Sequence, residues 1–251
     1  MHKPQSLKIA ILIPTYNEVK NVDPLLFSIN KAVNNLHDIS FSIYVIDDSS
    51  PDGTASAVLK CRDNLTSRNL HVKILTRKKK EGLGRAYIYG FNIVRKLPDP
   101  PHYILQMDSD LSHDPLYIND FLKAATKGAD LIVGSRYMAG GSSPDWSWYR
   151  KAISRGGNFF ARAMLSKELT DYTGGFNMYS LELLNKINFD LINTSGYGFQ
   201  IELKFCALQN TKTFAEIPIV FADRKFGVSK MPLSTIFRNF LLVLKIRLNK
   251  K

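Results

Sequence analysis

The sequence predicts an α/β protein with a mainly parallel central sheet and helices on both faces. Three observations predict it. Short apolar, β-branched runs alternate with stretches of helical spacing through the first half of the chain. Strand–helix–strand alternation of this length requires crossover connections, which cover a parallel sheet on both sides. The 251 residues are 45% apolar, 22% charged and 11% aromatic. That is too apolar and too aromatic for a disordered chain, and long enough for one sizeable core.

Ile9-Ala10-Ile11-Leu12-Ile13 reads as a buried strand ended by Pro14, and Val22, Leu25, Leu26 and Ile29 carry helical spacing after it. Phe41 to Ile46 is a second strand, ended by Asp47 and Asp48. Ser50-Pro51-Asp52-Gly53-Thr54 then supplies turn and helix-start chemistry, so Asp52 and Gly53 are assigned structure. His71 to Leu75 is a third strand, and Glu81-Gly82-Leu83-Gly84-Arg85-Ala86 opens the next helix, its glycines permitting close backbone approach. Tyr103 to Met107 is a fourth strand, again ended by acids, and Leu131-Ile132-Val133 a fifth. Farther on, residues 140–148 read as a loop and 150–165 as a helix with Phe159, Phe160, Ala163 and Met164 on an apolar side. Residues 170–176 read as a polar turn, 197–209 as a helix carrying Glu202, and Phe214 to Phe221 as a strand. Residues 222–232 are a polar loop with Arg224, Lys225 and Lys230. With no repeat, low-complexity tract or clear linker, the two halves are expected to share one core.

Thirty-four Lys and Arg against 22 Asp and Glu leave a formal charge of +12. Such a surface attracts phosphate-rich partners: nucleic acid, anionic membrane or phosphorylated substrates. Cys61 and Cys206 are the only cysteines, which excludes a disulfide scaffold and makes a reducing cytosolic compartment the default. There is no 18-residue uncharged apolar run for a transmembrane helix, and the N-terminus lacks the small-residue cleavage site of a signal peptide. Residues 236–248 are crowded with apolar side chains broken by Arg238, Lys245 and Arg247. As a helix they reach ~20 Å, short of the ~30 Å hydrocarbon core. The segment either packs on the domain or lies on a membrane surface with its cations near anionic head groups.

The chemistry sits where the strands end, which is where ligands bind in such sheets. Asp108-Ser109-Asp110 puts two carboxylates one residue apart after the fourth strand. Two acids that close repel unless a cation sits between them; Mg²⁺ or Mn²⁺ held this way leaves positions for substrate phosphates. The alternative is an acidic loop or a helix cap, as Asp114 before Pro115 suggests. Tyr16 offers a flat surface for a base, and Glu18 or Asp48 offers acceptors for base N–H and ribose hydroxyls. His113 beside the acids is assigned a structural role, because a hard ion rarely recruits imidazole. Trp146, Trp148 and Tyr149 are open to three readings: a lid that excludes water, a membrane-interface anchor, or core. A Walker loop is absent, as is the Rossmann glycine pattern at the first strand–helix turn, which argues against a P-loop NTPase and a dinucleotide dehydrogenase.

The segments Pro14-Thr15-Tyr16-Asn17-Glu18, Asp47 to Thr54, Gly82-Leu83-Gly84-Arg85-Ala86, Met107 to His113, Gly134-Ser135-Arg136-Tyr137, Thr173-Gly174-Gly175-Phe176, Gly196 to Gln200, Asp223-Arg224 and Ser229-Lys230 occur in one order and spacing. Together they resemble the inverting nucleotide-sugar glycosyltransferases of family 2, with the GT-A fold. The resemblance is closest to the polyprenyl-phosphate (dolichyl-phosphate) mannosyltransferases and spans roughly residues 8–232. It implies a catalytic domain over 1–232 and a short, basic, amphipathic segment over 233–251 that meets a membrane surface or docks a partner. It implies that Pro14, Tyr16, Glu18, Ile46, Asp48, Asp108, Ser109, Asp110 and Arg136 bind the nucleotide sugar. Asp108 and Asp110 would hold Mg²⁺ or Mn²⁺, with Ser112 a third ligand. Arg150, Arg224 and Lys230 would bind the acceptor phosphate, and Asp110, Arg136 and Arg224 would be catalytic. One departure from the family is Asn177, in a segment where relatives carry an arginine.

The implied reaction moves mannose from GDP-mannose to a polyprenyl or dolichyl phosphate at the cytoplasmic side of a membrane. The enzyme would be peripheral there, with a membrane-anchoring protein as a candidate partner. A phosphate acceptor is already ionised near neutral pH, its second pKa being ~6, so no general base is needed. A sugar hydroxyl would need one, and Asp171 and Glu202 are the candidates. UDP-glucose, or another donor on the same fold, is the nearest alternative. A non-catalytic nucleic-acid-binding protein is the remote one; no nucleic acid is expected, since the basic residues are not interleaved with aromatics and no such motif appears.

Overall fold

The computed structural model describes residues 6–192, 194, 196, 198–224 and 233–248. Seven strands form one sheet: β1 (Leu7–Thr15), β2 (Ile39–Asp47), β3 (Leu70–Thr76), β4 (Tyr103–Gln106), β5 (Leu131–Ser135), β6 (Asn177–Ser180) and β7 (Phe214–Pro218). Their order is β3-β2-β1-β4-β6-β5-β7. Every pairing is parallel except those of β6, which runs antiparallel between β4 and β5. The eight α-helices of the described residues are α1 (Val19–Val33), α2 (Thr54–Arg62), α3 (Leu83–Val94), α4 (Ile118–Thr126), α5 (Trp148–Met164), α6 (Leu181–Lys186), α7 (Gly198–Asn210) and α8 (Leu233–Leu248).

Strand alternation sends neighbouring side chains to opposite faces. Ile9, Ile11 and Ile13 of β1 join Val22 and Leu25 of α1, Val58 of α2 and Phe121 of α4. Ala10 and Leu12 join Phe91 of α3, Ala161 of α5 and Phe199 of α7. Both faces are therefore covered, and the run is apolar without a break because neither face meets water. The expected five early strands all form. β6 lies just beyond the segment read as a polar turn and was not expected. The last strand stops at Pro218 rather than Phe221; beyond it the backbone changes partner, Ile219 N–H donating to the Ser135 carbonyl and Phe221 N–H to the Ser142 carbonyl.

Two glycines have work that only glycine can do. Gly53 precedes α2 with φ +87°, a left-handed conformation. Gly84, in the first turn of α3, lies where a Cβ would fall 2.6 Å from the Thr194 carbonyl oxygen and 2.8 Å from Phe199. Its close approach is to the protein's own backbone. Gly84→Ala is expected to lower stability by about 1–3 kcal/mol through overpacking, seen as a lower thermal midpoint.

Of the two placements left open for the C-terminal segment, α8 packs on α5 and α7. Phe240 stacks on Phe160 with ring centroids 4.2 Å apart, and Val243 is buried. No helix among the described residues is long and apolar enough to cross a membrane.

Candidate active site

β1 lies between β2 and β4, so the chain order of the strands reverses at β1 and β4, where parallel sheets bind ligands. This brings the ends of β1, β2 and β4 side by side. Asp48 N–H donates to the Thr15 carbonyl, Arg77 N–H to the Asp47 carbonyl, and Met107 N–H to the Leu12 carbonyl. Among the described residues, the non-glycine residues with positive φ are Asn17 (60°), Ser49 (55°) and Leu111 (65°). Each sits on a different one of these three loops. Backbone strain of this kind costs ~1–3 kcal/mol per residue and gathers at functional sites.

The acid pair is built on the β4 loop. The Asp110 carboxylate accepts from the Ser112 N–H at 3.1 Å and from its hydroxyl at 2.5 Å through Oδ1; Oδ2 meets Arg224 Nε at 2.8 Å. Ser112 is thus turned onto Asp110, beside the acid pair. Asp108 keeps 29% of its side chain accessible. Its N–H donates to His113 Nδ1 at 3.0 Å, and Tyr87 Oη lies 3.4 Å from its Oδ1. Burial raises the Asp108 pKa, the His113 side chain opposes this, and the Asp110 charge raises it further. His113 is buried between Phe176, stacked at 4.8 Å, and Phe221; burial lowers its pKa. It supports Asp108 from beneath. Ser109 is buried beside the pair.

Two hard oxygen donors that repel each other, with a guanidinium already on one of them, fit a divalent ion whose other ligands are phosphates. The described residues contain no group of three or more His, Cys, Asp or Glu placed to hold an ion alone.

The expected nucleoside side lies on the β1 and β2 loops. Glu18 accepts from Asn21, and its pKa is raised first by burial, then by Asp110, with Arg224 opposing. Those couplings bring the β1 loop to the acid pair. Tyr16 and Pro14 are half-buried, and Lys80 lies over the Tyr16 ring at 4.1 Å. Asp48 pairs with Arg77 at 2.7 Å, and Arg77 also meets Glu81 at 2.9 Å. Burial raises the Asp48 pKa against that pairing. Ile46 corrects the expectation: it is wholly buried, its side chain in the core near Gly90, and has no surface to offer a nucleoside. Asp52 does the structural work expected, accepting from the Thr54 and Val19 N–H groups.

Arg136 also stands otherwise than expected. It is buried in a two-pronged pair with Asp171, Nε to Oδ2 at 2.7 Å and a terminal nitrogen to Oδ1 at 2.9 Å, and it also donates to Thr173. Its charge is met within the protein, so it organises the 171–175 loop rather than presenting a cation at the surface. Burial would raise the Asp171 pKa, but Arg136 and Lys204 hold it well below the usual carboxylate range. Such a carboxylate is a poor base. Lys204 is wholly buried, donates to the Asp171 and Gly174 carbonyls at 2.8 Å each, and burial lowers its pKa to about 8. It was not singled out in the sequence; a lone lysine in the apolar run of α7 was the available signal. Asn177 lies in β6, buried, donating to Gln106, Gly174 and Gln200. It fills a core position below the site. Glu202 accepts from Thr194 and is engaged there.

Arg150 pairs with Asp223 at 3.1 Å and lies over the Trp146 ring at 4.0 Å, while Arg136 lies over the same ring at 5.3 Å. Trp146 is buried against Phe221, whereas Trp148 and Tyr149 are exposed. The three aromatics thus divide between core and surface. Lys230 lies outside the described residues.

The doubly covered sheet carries its acid pair at the switch point, where such sheets bind ligands. The chain belongs to glycosyl transferase family 2, which matches residues 10–187. It is 37% identical to a polyprenol monophosphomannose synthase of Mycolicibacterium smegmatis over 90% of this chain and 82% of that protein. It is 36% identical to an undecaprenyl-phosphate mannosyltransferase of Micrococcus luteus over 90% of this chain and 88% of that one. In fold it is similar to glucosyl-3-phosphoglycerate synthase of Mycobacterium tuberculosis, solved with Mn²⁺, UDP-glucose and phosphoglyceric acid. That similarity has a TM-score of 0.69 at 18% identity and covers 96% of this chain and 79% of the other.

Proposed function

We propose that the chain transfers mannose from GDP-mannose to a polyprenyl or dolichyl phosphate, with Mg²⁺ or Mn²⁺ bound, as a peripheral enzyme at the cytoplasmic side of a membrane. The observation that carries this is the similarity, over most of each chain, to two relatives named for prenyl-phosphate mannosyl transfer. The site supports it. Asp108 and Asp110 would hold the ion, which when bound neutralises charge developing on the leaving nucleoside diphosphate. Tyr16, Glu18 and Asp48, from the adjacent β1 and β2 loops, would take the nucleoside. Arg224 and Arg150, joined through Asp223 and its neighbour in sequence, form a cationic rim next to the acid pair. That rim suits an acceptor phosphate, and Lys230 would add to it. Arg136 would act by positioning, through Asp171 and Thr173.

A phosphate acceptor attacks without a base, and the side chains weighed as bases are otherwise engaged: Asp171 by Arg136 and Lys204, Glu202 by Thr194. The test is a panel of nucleotide sugars offered with polyprenyl phosphate, with and without chelator. Mannosyl transfer from GDP-mannose, abolished by chelation, is expected. Transfer from UDP-glucose alone would reject the donor assignment, and transfer to a sugar hydroxyl but not to the lipid phosphate would reject the acceptor.

A further inference from the structure

Helix α5 packs Phe160, Ala161 and Met164 on its own domain, and carries further apolar side chains that the domain leaves uncovered. Its buried positions are Asn158 and Ala161. On the opposite side, Tyr149, Ala152, Ile153, Gly156, Phe159 and Ala163 recur at three- and four-residue intervals and are all exposed, Phe159 at 72%. A stripe with that spacing lies on one helix face. Trp148, 81% exposed, stands at its start. On the adjoining α8, Leu241 and Leu248 are exposed at 48% and 76%. Exposed apolar side chains gathered on one side of a helix mark a binding face.

Charge indicates what covers it. α5 carries Arg150, Lys151, Arg155 and Arg162, and α8 carries Arg238, Lys245 and Arg247; neither contains an Asp or Glu. Aromatic residues at one end, an apolar stripe, and cations without a single anion match an anionic bilayer surface. The stripe is also continuous with the site. It starts beside Arg150, whose partner Asp223 precedes Arg224 on the acid pair. We propose that the exposed face of α5, extended by α8, seats on an anionic lipid bilayer, bringing the cationic rim to the membrane plane. This rests on the proposed lipid-phosphate acceptor only for its purpose; the surface chemistry stands without it.

The test is co-sedimentation of the full chain, without donor or acceptor, with vesicles of phosphatidylcholine alone or with about one-third phosphatidylglycerol. Binding to the anionic vesicles, weakened by salt and accompanied by a blue shift of tryptophan emission, is expected. The Ile153→Ser/Phe159→Ser double variant changes only exposed side chains. It should lose about tenfold or more in partitioning while keeping the wild-type melting temperature. Its turnover with a short, water-soluble prenyl phosphate should be unchanged. Failure of the wild-type chain to bind anionic vesicles overturns the proposal, as does undiminished binding by the double variant. Self-association through this face, seen as a dimer that the double variant abolishes, overturns it in favour of a protein partner. If vesicles bind as expected but no nucleotide sugar is turned over, the proposed reaction fails and the membrane face stands.

Discussion

Asp110→Asn is expected to lower turnover by about 10²–10³-fold, the scale of losing one strong electrostatic contact to a developing charge. The amide keeps the shape of the side chain and can still accept from Ser112, so the loop should stay in place. What it loses is the charge that meets Arg224 and, in the proposed reaction, the ion. Asp108→Asn should act similarly, since each carboxylate keeps the pair net negative toward a cation. The measurement is kcat and KM for the donor across a Mn²⁺ titration, with the melting temperature as the control for folding. Near-normal turnover in both variants, at any metal concentration, would remove the acid pair from the chemistry.

The largest effect on stability is expected from Asp171→Asn. It leaves the buried Arg136 guanidinium facing a neutral amide and takes a counter-charge from buried Lys204. Breaking one partner of a buried pair costs about 3–5 kcal/mol. For a chain of this size each kcal/mol is worth about 2–4 °C, so the melting temperature should fall by roughly 6–20 °C. The pH dependence has a definite sign. Asp171 has a depressed folded-state pKa, so its stabilisation is fully present above the ordinary carboxylate pKa of ~3.9 and is lost as pH falls toward the folded value. The gap between wild type and variant should therefore be constant at neutral pH, begin to narrow below about pH 4, and shrink progressively as pH falls further toward the folded-state value. A gap that does not narrow at all between about pH 4 and pH 2, or that never exists at pH 7, would contradict the buried pair.

The strands were legible because parallel strands covered on both faces read as unbroken apolar runs, and each run ends in the polar residues that line the site. The paired acids, Tyr16, Glu18 and Asp48 were legible for the same reason: they lie within a few residues of a recognisable strand end. What was hidden is set by contacts between distant segments. Arg136 and Asp171 are 35 positions apart, and no local spacing says that one neutralises the other. Ile46 ends an apolar run beside acids, and sequence alone does not say that its side chain falls on the core side of the strand. β6 is only Asn177-Met178-Tyr179-Ser180, too short for periodicity, and its antiparallel course breaks the pattern that revealed the others. The stripe on α5 had a visible period, but the period does not tell which way the helix turns it.

The antiparallel strand between β4 and β5 makes both halves of the molecule one continuous ladder. Gln106, one residue before the acids' own loop, pairs with Asn177, which in turn pairs with Val133 just before the Gly134–Arg136 segment. The carboxylates and the buried arginine thus share a rigid frame with no swivel between them. Rearrangement during a reaction cycle is then expected of the loops at the strand ends, not of one strand against the next.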